Sequence, residues 1–218
     1  DGLSRSTVGW AGLIFAVYAF NYLWAPLVDR IQIPFLTKKI GHRRAWIVLM
    51  QVIILISLVL WSLINPTQNL ALVITVGLII AIASATQDIT VDALRIEQIG
   101  EQEGKSMQAG AAMAVVGWWT GYKLGGVVSL NTADFFQQLG FTNYWQMTFL
   151  ILGIVIIVCN VALLYVNEPQ PTDRVMSQKQ TDELIEKKLG ASNILTKIFA
   201  WFASTVIGPV ISFFKKNG

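Results

Sequence analysis

Five apolar runs, each followed by a short polar segment, constrain this chain more than any other feature. A helix rises 1.5 Å per residue, so about 20 apolar residues cross the hydrocarbon core of a bilayer. The runs are 10–28 (WAGLIFAVYAFNYLWAPLV), 45–64 (AWIVLMQVIILISLVLWSLI), 70–86 (LALVITVGLIIAIASAT, continuing as helix toward Arg95), 107–133 (MQAGAAMAVVGWWTGYKLGGVVSLNTA) and 145–166 (WQMTFLILGIVIIVCNVALLYV). With 54% hydrophobic and 13% charged residues and a mean hydropathy of +0.57, the chain lacks the polar surface that a soluble domain of 218 residues needs. The spacing predicts an all-α, polytopic membrane helix bundle.

The distribution of basic residues orients the spans. Segment 29–44 (DRIQIPFLTKKIGHRR) carries Arg30, Lys38, Lys39, Arg43 and Arg44, whereas 65–69 carries none. Segment 95–106 has Arg95 and Lys105, 134–144 has neither lysine nor arginine, and everything after 166 is basic-rich. By the positive-inside rule, 29–44, 95–106 and 167–218 face the cytoplasm and the N-terminus faces out. An odd number of spans that starts outside, in mid-loop, leads us to expect at least one preceding span. Residues 1–166 then form a five-span bundle. Residues 167–193 are a cytoplasmic linker whose SQKQTDELIEKKLG (177–190) has capping-box spacing at Ser177 and Gln180. Residues 194–218 read as an amphipathic helix in the membrane surface, with a sixth span as the alternative.

Several classes are disfavoured. The single cysteine, Cys159, permits no internal disulfide, and the lone His42 sits in a basic loop, so no metal site is expected. Phosphate loops and nucleophile elbows are missing from the sequence, and nothing argues for an enzyme or a cofactor. Topology accounts for the basic loops without nucleic acid as a partner.

The third run ends in SATQDITVDALRIE (84–97), where ionisable residues crowd together. Asp88, Asp92 and Arg95 are spaced i, i+4, i+7 and share one helix face. Asp88 stands about five turns into the helix, where an ionisable side chain is costly and points to function. Two carboxylates one turn apart disfavour joint ionisation, which suits a group that takes up and releases a proton. The alternative is a latch, in which these residues mark the interface and hold the basic 29–44 segment; Asp88 fits either role and Asp92 the latch.

The fourth run contains GWWTGYKLGG (117–126). Gly117, Gly121 and Gly125 form a small-residue stripe of the kind that packs against another helix. Lys123, inside the span, either snorkels outward or faces a cavity and binds an anionic substrate. Trp118, Trp119 and Tyr122 either stack on sugar rings or serve as interfacial aromatics. Asn21 in the first run is a further cavity candidate.

FNYLWAPLVDR (20–30) followed by GHRRAW (41–46) resembles the loop between helices 2 and 3 of the major facilitator superfamily, whose signature places Asp-Arg and Gly-x-Arg-Arg there. LWAPLVDR, SATQDITVDA and GYKLGG, in that order, are similar to the AmpG-type muropeptide permeases and the related acetyl-CoA transporter family. VIGPVISFFKKNG (206–218) looks like the segment before the seventh helix of that family. The resemblance implies that 1–166 are helices 2–6 of a transporter with twelve or more helices. It implies a gating role for Asp29, Arg30, Gly41, Arg43 and Arg44, with Arg95 in the adjoining latch, and a place near the cavity for Gln87 and Asp88. The implied partners are the lipid bilayer, an anionic glycopeptide from recycled cell wall, protons, and a C-terminal half, in the bacterial inner membrane. The chain departs from the pattern at Asn21, where relatives carry lysine, and at Lys123, where they carry arginine. Its 29–44 loop is also longer than usual. Another anionic cargo, such as an acyl-CoA or a sugar conjugate, or service as an accessory or scaffold subunit, are the alternatives.

Overall fold

A computed structural model describes residue 9 and residues 12–64, 69–99 and 104–167. These hold seven α-helices and no strand: α1 Ala16–Phe20, α2 Ala25–Arg30, α3 Leu36–Ile40, α4 His42–Leu63, α5 Leu70–Ile99, α6 Gly104–Gln138 and α7 Tyr144–Leu164. The contacts divide the chain into one unit of Asp1–Asn21 with Ile33–Glu168 and a second of Tyr22–Gln32 with Pro169–Gly218. The linker helix and the amphipathic segment expected after 167 lie outside the described residues.

Three helices, α4, α5 and α7, are long and apolar enough to cross a membrane. The 35 residues of α6 are more than sufficient in length, but its glycines, Lys123 and polar outer turn keep it below the others in apolarity. The first run differs from the single helix expected. It is divided into 3-10 turns at Gly12–Phe15 and Asn21–Leu23 flanking α1, and then α2. Pro26 lies in the first turn of α2, where its missing N–H is no loss, but it cannot continue a helix arriving from Leu23. Within the second unit, the Trp24 carbonyl accepts the first bonds of α2 from Leu27 (3.0 Å) and Val28 (3.2 Å).

In the first unit, α4 lies between α5 and α7 and packs against both. All three can do so because α5 lines its inner face with small residues: Ala81, Ala83 and Ala85 are buried, and Thr86 and Thr90 with them. The buried threonine hydroxyls turn back to their own helices, Thr86 to the Ile82 carbonyl at 2.7 Å, Thr90 to Thr86 at 2.8 Å and Thr148 to Tyr144 at 2.9 Å. No polar group of theirs is then left facing apolar surroundings. At one end of the bundle Trp61 donates Nε1–H to the Val73 carbonyl (3.1 Å) and packs its ring 5.4 Å from Phe149. These pairings make α4 antiparallel to both neighbours. Ile154, Val158 and Val161 of α7 are exposed, as expected of a surface solvated by lipid.

Helix α6 behaves differently. It meets α7 near the connecting turn, where Ala133 is buried, and touches α5 near Gly110. From Val115 to Val128 every residue of α6 is exposed.

Candidate functional site

The polar residues gather in two places, an open wall formed by α5 and α6 and a clamp where α4, α5 and α7 end together.

The wall starts where α6 crosses α5. Gly110 sits so close that a Cβ there would lie 2.5 Å from Ile99 Cδ1 and 3.6 Å from Arg95 Nη1. Arg95 and Ile99 belong to the stripe 88, 92, 95, 99, so Asp88 and Asp92 continue the face that α5 turns toward α6. On α6 the corresponding stripe runs from Gly110 through Ala114 to Gly117, Gly121 and Gly125. Asp88 lies seven residues before Arg95 and Gly117 seven after Gly110, each about 10 Å along its own helix from the crossing.

Asp88 is exposed and has no hydrogen bond or ion pair among the described residues; Gln87 beside it is half-buried. Asp92 pairs with Arg95 on its own helix at 3.0 Å. Thus the carboxylate that reaches the basic segment is a different one, Glu97. Among the described residues, no helix packs on the glycine stripe. A Cβ at Gly117, Gly121 or Gly125 meets nothing within 4 Å, because α6 diverges from α5 after Gly110. Beside this stripe, Trp118 and Tyr122 stack with ring centroids 5.9 Å apart, and Trp119 packs edge-on to Trp118 at 5.0 Å. Lys123 holds its ammonium 5.9 Å from the Trp119 ring, one helical turn back. These four side chains form an exposed patch of π-faces with one cation. Asn21 is half-buried in its 3-10 turn.

The clamp is built by four side chains. Arg43 donates to Glu97 Oε1 from both Nη2 (2.7 Å) and Nε (3.1 Å), tying the start of α4 to the end of α5. Arg44 donates Nη1–H to the carbonyls of Leu164 (3.3 Å) and Val166 (3.0 Å), the open carbonyls at the end of α7. A cation there also complements the negative end of the helix dipole. Gln98 completes the set by donating to the Asn167 carbonyl at 2.7 Å. Gly41, at φ 94°, joins α3 to α4 just before the two arginines. Asp29 and Arg30 close α2 in the other unit. Sequence reasoning assigned neither Glu97 nor Gln98 a role. The signal available was their place two and three residues past Arg95, level with the basic GHRR.

Comparisons with known proteins bear on this arrangement. A family model described as the Major Facilitator Superfamily matches residues 2–216. The anhydromuropeptide permease of Escherichia coli (strain K12) is 30% identical over 185 residues, covering 85% of this chain and 35% of its own length. A protein of Rickettsia conorii named AmpG 4 is 33% identical over 200 residues, covering 92% of this chain and 42% of its own length. AmpG 3 of Rickettsia typhi is 28% identical over 188 residues. The chain therefore spans less than half the length of these relatives. A match over almost every residue, on apolar helices tied together by the Gly-x-Arg-Arg segment, makes this a multi-pass membrane chain that belongs to the Major Facilitator Superfamily.

Proposed function

We propose that this chain is the N-terminal half of a secondary transporter that imports anhydro-muropeptides with protons across a bacterial inner membrane. The observation that carries the reading is the open α5–α6 wall, which carries an unpaired carboxylate, Asp88, on α5 and an exposed cationic aromatic patch on α6. Similarity to a protein named as an anhydromuropeptide permease supports the cargo class. In this reading Trp118, Trp119 and Tyr122 stack on sugar rings and Lys123 meets a peptide carboxylate. Asp88 and Asp92 offer the proton site, with Gln87 and Asn21 toward the same cavity. Asp29, Arg30, Gly41, Arg43, Arg44 and Arg95 belong to a cytoplasmic gate. A C-terminal half would supply the opposite wall, and rocking of the two halves would expose the site to each side in turn.

The test is uptake of labelled anhydro-muropeptide into proteoliposomes that hold the complete gene product under an imposed pH gradient. Asp88→Asn is expected to abolish proton-driven uptake while membrane insertion stays intact. Normal uptake by that variant would remove Asp88 from the mechanism. Lys123 favours a second reading, another anionic cargo such as an acyl-CoA, because lysine binds as a point charge without the fork that arginine offers a carboxylate. Competition of acyl-CoA against the labelled muropeptide separates the two.

A further inference from the structure

Two carboxamides, one buried and one half-buried, have no part in the wall or the clamp. Gln51 of α4 is 8% exposed, and its Oε1 has no hydrogen-bond partner. Asn160 of α7 donates Nδ2–H to the Ile156 carbonyl of its own helix at 3.2 Å, and its buried Oδ1 is also unpartnered.

Their positions are related. Gln51 lies seven residues after Arg44 and four before Leu55, so the three share one stripe of α4. Arg44 and Leu55 are residues through which α4 reaches α7, at Leu164 and at Gly153. Asn160 lies seven residues after Gly153 and four before Leu164, on the α7 stripe that meets α4. The helices are antiparallel, and Leu55 stands level with Gly153, so Gln51 stands level with residue 157. Its offset from Asn160 is then about 4.5 Å along the axis at 1.5 Å per residue. Side chains lean toward the N-terminus of their own helix. Gln51 leans toward the Arg44 end of the interface and Asn160 leans away from it, so the two lean toward each other across the offset.

A carboxamide oxygen without a donor destabilises an apolar interface. Two such oxygens on facing stripes have one remedy in common, a donor between them. We propose that Gln51 and Asn160 form a single buried polar site across the α4–α7 interface, closed by a shared hydrogen-bond donor. The donor is either a bridging water or the Gln51 amide turned to present its NH2 to Asn160 Oδ1. Gln51 makes no hydrogen bond among the described residues, so that turn breaks none. The site fixes the register of α4 on α7 and so keeps Arg44 within reach of the last α7 carbonyls.

The experiment is thermal unfolding of the full chain in nanodiscs, followed by tryptophan fluorescence. Gln51→Leu and Asn160→Leu each orphan the other carboxamide, and each is expected to lower Tm by about 2–5 °C. The double variant removes both oxygens and is expected to regain at least half of the summed loss. Additive losses overturn the proposal. Should a single variant fail to fold, the double variant decides alone: a monodisperse yield near that of the unsubstituted chain supports the site, and failure to fold overturns it. Asn160→Ser identifies the donor, since serine is too short for Gln51 but keeps a water. Stability near the unsubstituted value assigns the water, and a loss like that of Asn160→Leu assigns the amide.

Discussion

Gly41 stands at φ 94° and ψ 167°, a backbone conformation that a side chain adopts only under strain. Its N–H donates to the Thr37 carbonyl and its own carbonyl accepts from Ala45, so one residue ends α3 and starts α4. The superfamily signature carries glycine here for a backbone reason, and the arginines of the clamp depend on it for direction. Gly41→Ala is expected to destabilise the fold by about 1–3 kcal/mol, to be read as a fall in Tm. Lys123 presents the opposite case, an exposed cation whose neighbour is the Trp119 ring. If it meets the cargo's anionic group, Lys123→Ala raises the KM for uptake by about tenfold with kcat little changed, the equivalent of about 1.4 kcal/mol. An unchanged KM returns Lys123 to a snorkelling role at the bilayer surface.

The helices α4, α5 and α7 were legible as spans because transfer into lipid is decided residue by residue along a local run. Which side chains join them was less legible. Asp92 meets Arg95 of its own helix and does not reach the basic segment. Glu97 does, because the crossing of α4 over α5 brings Arg43 to it from 54 positions away. Both side chains are largely withdrawn from solvent, at 11% and 26% exposure, so the pair is expected to exceed an ordinary surface ion pair. A double-mutant cycle of Arg43→Gln and Glu97→Gln should give a coupling of about 1–2 kcal/mol. Zero coupling would leave the hydrogen bonds of Arg44 and Gln98 to carry the clamp among the described residues. The glycine stripe of α6 is a pattern visible in the sequence, but a packing role needs a neighbour, and among the described residues α5 moves away from it after Gly110.

For the chain as a whole, orientation remains the expectation most open to direct measurement. With Cys159 replaced by serine, a cysteine at Leu139 is expected to react with a membrane-impermeant maleimide in intact cells. One at Lys39 should react only after permeabilisation, and the reverse labelling would invert the topology. The sequence by itself determined that this is an all-helical membrane chain, where three of its spans run and which superfamily it resembles. Hydropathy and short motifs are local properties that survive without knowledge of any contact. Only the tertiary structure decided that Glu97 rather than Asp92 grips the basic segment, that Arg44 caps α7, that the first run is divided into short pieces, and that Gly117, Gly121 and Gly125 face open space. Each of these depends on the angle and register at which helices far apart in the chain cross, and a one-dimensional pattern does not encode that geometry until the helices pack.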